Sequence, residues 1–353
     1  MRHALALALL VMALNACSDP LEFADWTFPV PEGTRIIEYA AVPIEERVER
    51  ITFVEDLRLG TNAADPTQAF YQPRDVDVDV DGNIYVLDAG NHCVKVYDAE
   101  GRHLRTLGRE GQGPGELQRP RSVTVAAERL VARDLSEMSV WTLDGAHISD
   151  TQHMVRFGEV VGMTDGSLVA NHVAGADRSE PWLAVSSFAL DGQWLTTYLE
   201  LPLKPGVWPA PEFAASRDGM VYVTATREYQ VLAMARDGQA RWALRTAWPR
   251  PRPDEIVNLD AVRVELPEAR MSALSHLAVD GHGHLYVYPY DTSEGSSPLL
   301  PVDVYSADGE RLYSGMIDDT RWAKALGDHV YVPTFDRRTD EHHVVRFRLV
   351  EPF

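Results

Sequence analysis

QPRDVDVDVDGNIYVLDAGNHCVKVYD, Gln72 to Asp98, holds the pattern from which the rest of the chain can be read. Val76, Val78 and Val80 alternate with aspartates, Asp81-Gly82 breaks the run, and Ile84 to Leu87 resume it as an apolar stretch. Alternation of period two marks a strand with one face buried, and Asp-Gly between two such runs supplies the positive φ angles of a tight hairpin. The dipeptide recurs between short apolar or alternating runs at Asp165-Gly166, Asp191-Gly192, Asp218-Gly219, Asp237-Gly238 and Asp308-Gly309. Asp144-Gly145, Glu100-Gly101, Gly281-His282-Gly283 and Gly327-Asp328 are variants of it. The spacing predicts an array of hairpins.

One short string follows the first turn of each unit: Ile84-Tyr85-Val86, Leu130-Val131-Ala132, Leu168-Val169-Ala170, Val221-Tyr222-Val223, Leu285-Tyr286-Val287 and Val330-Tyr331-Val332. Six copies predict six units, beginning near Pro73, Pro120, Phe157, Pro211, Leu274 and Trp322. Units of four strands and roughly 40 to 45 residues are the signature of a β-propeller rather than of a helical solenoid. The last unit supplies three strands, ending with Val344 to Leu349. Ile51 to Gly60, whose Leu57-Arg58-Leu59-Gly60 echoes Arg105-Thr106-Leu107-Gly108, is the candidate fourth. The predicted fold is all-β: a six-bladed β-propeller of four-stranded antiparallel blades, with the N-terminal strand closing the last blade and so removing an exposed edge.

The other end of the chain reads differently. Arg2 and His3 precede an apolar run from Ala4 to Ala13 and then Leu14-Asn15-Ala16-Cys17, the layout of a secretory leader. That run is well short of the roughly 20 residues a membrane-spanning helix needs. Residues 1–16 are expected to be a signal peptide, residues 17–34 a proline-containing tether, and residues 35–353 the propeller. Cys17 and Cys93 are the only cysteines, so no disulfide framework is expected. With 45% hydrophobic residues in 353, the chain can bury a sizeable core. A formal net charge of −20 makes nucleic acid and anionic lipid headgroups poor partners.

Two stretches carry a family resemblance. Residues 72–98, followed by GRHLRTLGREGQGPGEL ending at Leu117, resemble an NHL repeat and the bacterial six-bladed propeller lipoproteins built from it. The segment Gly108 to Glu116 is the most specific piece; only the first unit matches well, and Cys93 stands where that repeat usually has arginine. The resemblance implies a propeller carried on a lipid anchor. Leu14 to Cys17 resembles the lipobox, in which the cysteine is diacylated and becomes the mature N-terminus. Ser18 after it implies, by the Gram-negative sorting rule, the outer membrane or the periplasmic side of the envelope.

Motifs for chemistry are sparse. Asp77, Asp79, Asp81 and Asp88 reproduce the carboxylate spacing of a calcium loop, but on alternating strands rather than between helices, so exposed strand aspartates are expected. Twelve histidines raise a zinc site drawn from several blades: His92, His172 and His342 map near one face, and His282, His284 and His329 beside the turns. No cofactor is predicted from this; calcium and zinc stay open. No nucleophile elbow, His-Glu-x-x-His helix or phosphate-binding Gly-rich loop occurs, and the glycines of Gly108 to Gly115 read as a link between blades.

Loop lengths point to a working face. Asn171 to Pro181, Thr246 to Ala273, Pro289 to Pro301, Thr334 to His342 and the Gly108 to Gln118 link all fall opposite the short Asp-Gly turns. Binding residues concentrate on long loops held by a rigid scaffold. Second-strand ends on that face carry Asp88, Arg133, Asp134 and His172, with Asn91 and His92 nearby and Arg74 and Arg121 entering the next inner strands. These eight are the expected ligand-binding residues, with Tyr288, Tyr290 and Trp208 as candidate apolar walls. The expected function is membrane-anchored binding of a protein, peptide or glycan; the alternative is a metal-dependent lyase or hydrolase acting in the propeller channel.

Overall fold

The structure, a computed structural model, describes residues 29–135, 137–152, 157–174, 182–202, 211–225, 228–248, 258–259, 262–263, 273–289, 299–318, 324–326 and 328–350. The expected leader, Cys17, most of the tether, Trp208, Tyr290, Trp322 and much of the predicted long excursions lie outside these residues.

The chain is all-β and runs through a succession of four-stranded antiparallel sheets. After β1 (Arg35–Tyr39) and β2 (Arg50–Leu59), strands β3 (Pro73–Val78), β4 (Ile84–Asp88), β5 (Cys93–Tyr97) and β6 (His103–Leu107) form the first. The second comprises β7 (Ser122–Ala126), β8 (Arg129–Arg133), β9 (Glu137–Thr142) and β10 (His147–Gln152). The third comprises β11 (Phe157–Gly162), β12 (Leu168–Ala174), β13 (Trp182–Phe188) and β14 (Trp194–Pro202). The fourth, β15 (Glu212–Ala215), β16 (Val221–Thr224), β17 (Gln230–Met234) and β18 (Ala240–Thr246), carries β1 as a parallel fifth strand beside β18.

A short pair, β19 (Asn258–Leu259) and β20 (Val262–Arg263), stands apart. The remaining strands are β21 (Leu274–Val279), β22 (Leu285–Pro289), β23 (Leu299–Tyr305), β24 (Arg311–Asp318), β25 (Lys324–Leu326), β26 (His329–Asp336) and β27 (Glu341–Val350). They join one eight-stranded sheet in the order β21-β22-β23-β24-β2-β27-β26-β25. Its two halves meet through β2, which pairs antiparallel with β27 from Thr52 to Leu59 and touches β24 in parallel at Arg50 and Ile51 alone.

The recurring string explains why these sheets stack. Ile84 and Val86 pack against Tyr331 and Val344 of the last strands, while Tyr85 faces Val123, Val125 and Leu130 of the second sheet. Likewise Val221 and Val223 face the third sheet and Tyr222 faces β21 and β22; Leu285 and Val287 face the fourth and Tyr286 faces β26. A second strand is thus buried on both sides, so it reads as a short apolar run rather than as an alternation. Six such clusters, each shared by neighbouring sheets, are present among the described residues. The cluster joining β3 and β4 to β26 and β27 brings the end of the chain back to its beginning.

The turns are built differently from the expectation. Gly82 N–H donates to Asp79 O (3.1 Å) and Asp79 N–H to Asn83 O (3.1 Å), and the same pair recurs around Gly101, Gly145, Gly166, Gly192, Gly219, Gly238, Gly283 and Gly309. Only the glycine has positive φ, so each is a type I turn closed by one left-handed residue, not a two-residue hairpin. Val80, predicted to lie in the strand, sits in the first of these turns and is 84% exposed.

The N-terminal segment ties several sheets together. From β1 it crosses to the buried guanidinium of Arg47, which meets Asp303 at 2.9 Å, donates to Val302 O at 2.8 Å and lies over Trp248. Tyr229 Oη also donates to Asp303 (2.7 Å), so one carboxylate collects the N-terminal segment, β23 and the chain preceding β17. The segment then enters β2. No helix among the described residues is long and apolar enough to cross a membrane.

Candidate functional site

The first strand of each unit lies at the inner edge of its sheet, where the next unit has backbone N–H groups to satisfy. Aspartates in β3 do this. Asp75 accepts from Val123 N (2.9 Å), and Asp77 accepts from Thr124 Oγ1 (2.9 Å) and Val125 N (2.8 Å). Thr124 in turn accepts from Gly162 N at 2.7 Å. Arg217, whose carbonyl is held by Thr164 (2.9 Å), reaches across and pairs with Asp77. These groups stitch the inner strands and place an ion pair over the turn-face end of the channel.

Asp77, Asp79 and Asp88, expected to be exposed, are therefore buried, and the calcium-like spacing dissolves. Asp79 caps its own turn, accepting from Asp81 N, Asn83 N, Asn83 Nδ2 and Tyr85 Oη. Asp88 lies at the other end of the hairpin, opposite Pro73. Among the described residues no three His, Cys, Asp or Glu side chains come together as a metal site.

At the opposite mouth, second-strand residues act as latches on the links between sheets: Asp88 and Asp134 at equivalent positions, and Asn171 one position earlier in its repeat, inside β12. Asp88 accepts from Tyr71 N (2.8 Å) and Asn91 Nδ2 (2.7 Å) and pairs with buried Lys95 at 3.3 Å. Burial raises its pKa, against the pull of Asn91, Tyr71 and Lys95. Asp134 accepts from Gln118 N (2.7 Å) and Arg119 N (2.8 Å), and Asn171 Oδ1 from Glu159 N (2.7 Å). Carboxylate and amide oxygens thus satisfy backbone donors that the links expose.

The arginines of this mouth are not consumed in the same way. Arg74, Arg119 and Arg121 line a cavity of about 330 Å³ with Tyr71, Gln72 and His92. Arg133 lies behind it, buried, donating to Ser122 Oγ (3.1 Å) and Gly158 O (3.0 Å). Burial lowers the pKa of Arg133; Asp75 and Asp134 oppose the shift, and Arg121 and Arg74 add to it. Arg121 Nε and His92 Nδ1 are buried without a partner among the described residues.

Of the eight expected binding residues, Arg74, His92, Arg121 and Arg133 gather here, while Asp88 and Asp134 hold the backbone around them and Asn91 donates to the Asp88 carboxylate. His172 is not brought to the group. Its ring is buried in the third sheet against Phe188 and Trp194 (centroids 5.2 and 4.7 Å), with Nε2 3.0 Å from Ser186 Oγ. Burial pushes its pKa down to about 4. Tyr288 packs between β22 and β26 rather than forming an apolar wall. Thr334 to His342, expected as a loop, is largely the extended hairpin of β26 and β27. His342 stacks on Phe335, His282 pairs with Asp328, His284 with Asp280 and His329 with Asp56.

Sequence reasoning missed Arg119 and Tyr71; the Pro120 that ends the link was the available signal. A larger cavity, about 930 Å³, opens on the turn face. Three of its charged lining residues are committed within the fold, Asp79 to its turn, Asp144 to Thr142 and Arg217 to Asp77, while Asp81, Glu128 and Arg129 add charges of mixed sign.

With this geometry in hand, the comparisons with known proteins are specific about the fold. The NHL repeat family model matches residues 70–97. An exported-protein candidate from Bacteroides fragilis superposes with a TM-score of 0.55 at 12% identity, covering 90% of this chain and all of that one. A member of the duf4221 family from Bacteroides vulgatus gives 0.54 at 12% identity, covering 85% of this chain and 99% of the other. The calcium-binding protein regucalcin from Agrobacterium tumefaciens gives 0.43 at 11% identity over 89% of this chain and 96% of its own. No curated protein sequence matches.

Proposed function

We propose that this NHL-repeat β-propeller is a lipid-anchored, extracytoplasmic binding module of six blades whose long-loop face takes a protein, peptide or glycan. The count of six is supported by taking the two halves of the eight-stranded sheet as separate units, and the pairing of β2 with β27 supports β2 as the fourth strand of the last. The leader and Leu14 to Cys17 support export and acylation, and Ser18 supports the outer membrane in a Gram-negative host.

One observation carries the choice of face. In the turn-face cavity Asp79, Asp144 and Arg217 close on partners within the fold and the other charges, Asp81, Glu128 and Arg129, are of mixed sign, whereas Arg74, Arg119 and Arg121 bring three charges of one sign to the long-loop mouth with their guanidinium groups unpaired among the described residues. Rigid backbone latches from Asp88 and Asp134 surround those arginines, a preorganised setting for recognition.

Two measurements test this reading. Cys17→Ser should move the protein from the membrane to the soluble fraction, and unchanged membrane association contradicts the anchor. Arg74→Ala and Arg121→Ala should reduce recovery of the envelope partner in a pull-down, whereas Asp218→Asn and Asp308→Asn on the turn face should not. The reverse pattern would place the working face at the other end.

A further inference from the structure

The arginine-lined cleft between the first and second units has a charge balance unlike the rest of the molecule. The chain carries 53 acidic against 33 basic residues, yet Arg74, Arg119 and Arg121 converge on one cavity with buried Arg133 behind them. Like charges gather only where the backbone holds them. Arg74 sits in β3, Arg119 N–H is fixed by Asp134, and Arg121 N–H donates to Arg133 O at 2.7 Å.

Nearby carboxylates offset the cluster only in part: Asp75 and Asp134 act on Arg133, and each is also held by backbone amides. Asp75 faces Val76 N and Val123 N, Asp88 is buried against Lys95 and Tyr71 N, and Asp134 accepts three backbone amides. Arg121 Nε and His92 Nδ1 are left as buried nitrogens without partners among the described residues. A buried donor without a partner, as Arg121 Nε is, carries a cost that a bound acceptor would relieve, and His92 Nδ1 adds to this in the tautomer that carries its proton there. Planar guanidinium forks match carboxylate and phosphate oxygens in pairs. A cavity of about 330 Å³ suits a compact ligand rather than a polymer groove.

We propose that this cleft is an oxyanion site, taking the carboxylate or phosphate of a compact, monosaccharide-sized acidic ligand. The inference rests on the long-loop face being the working one and names the chemistry it recognises. The negative field of the whole protein repels anions in general, so occupancy of this cleft depends on local, oriented donors rather than on net charge.

The test is calorimetric titration of the purified full chain, at low and at physiological salt, with glucuronate, inorganic phosphate and glucose as separate probes. Saturable one-site binding of glucuronate, of phosphate or of both is expected, with glucose inert; comparison of the two anions distinguishes the carboxylate from the phosphate source. Arg74→Ala with Arg121→Ala should weaken binding at least about tenfold. The equal charge change Arg102→Ala with Arg129→Ala on the turn face should not. Arg74→Lys, which keeps the charge and loses the fork, should be intermediate. Thermal unfolding of each variant establishes that the fold is kept.

Absence of saturable anion binding, or equal loss in both double variants, overturns the site. If Arg74→Ala abolishes partner capture while no anion binds, the face assignment stands and the oxyanion inference alone falls.

Discussion

Tyr85 and Tyr222 hold the same place in their repeats and differ in one hydrogen bond. Tyr85 Oη donates to Asp79 at 2.9 Å, while buried Tyr222 Oη finds no partner among the described residues. Tyr85→Phe should therefore cost about 1 kcal/mol, and Tyr222→Phe should be neutral or slightly stabilising, read from the midpoints of chemical denaturation. Burial pushes the Cys93 thiol up to about 11, with Asp88 adding to the shift, so the native protein should resist thiol reagents near neutral pH and label only on unfolding. For His172 the folded pKa, about 4, lies below the unfolded value near 6.5, so the native state binds fewer protons across that window. Stability contributed by neutral His172 is complete above about pH 6.5 and falls toward pH 4, by up to about 3 kcal/mol. His172→Phe should flatten the stability profile between those limits; an unchanged slope would show that other groups set it. The apolar positions of the string were legible because both faces of a second strand are buried. The fate of individual polar groups was not: Asp88 is satisfied by Tyr71 N, seventeen residues away, and His172 turns inward because β12 continues to Ala174.

At the level of elements, the glycine in each turn was readable and the residue three before it was overlooked. Asp79, Asp98 and Asp280 each accept from two backbone amides within their turns, and Thr142, Ser216 and Ser306 each accept from one. Asp280→Ala should thus destabilise by about 1–2 kcal/mol, whereas Asp308→Asn, at the position just before a turn glycine, should stay within about 0.5 kcal/mol. The pairing of β2 with β27 followed from a missing fourth strand and from Leu57-Arg58-Leu59-Gly60 echoing Arg105-Thr106-Leu107-Gly108, a pattern visible without coordinates. Placement of β1 beside β18 carried no such signal, since five residues with a half-exposed pattern do not specify a neighbour. Arg47 explains how that segment is held. Arg47→Ala leaves Asp303 buried without its cation and should cost about 3–5 kcal/mol, more than deleting residues 18–28. Equal stability of those two variants in thermal unfolding would contradict the staple.

Taken as a whole, the molecule places its joins and its functional groups at different ends. The cluster that unites β3 and β4 with β26 and β27 closes the succession of sheets, and the segment leading into it comes from the side expected to carry the anchor. Pairing β2 with β27 covers an edge that the last three strands would otherwise leave open, and Cys93 is a free, buried thiol, so packing rather than cross-linking holds the described sheets. One mouth is braced by Arg217 on Asp77, and the other presents arginines without partners among the described residues. Photocrosslinking in intact cells tests the resulting claim most directly, because it captures a partner of any identity in place. A photoreactive amino acid replacing Arg74 or Arg119 should give a discrete covalent adduct, and one replacing Asp218 or Asp308 should give none; adducts from the turn-face positions alone would contradict the account.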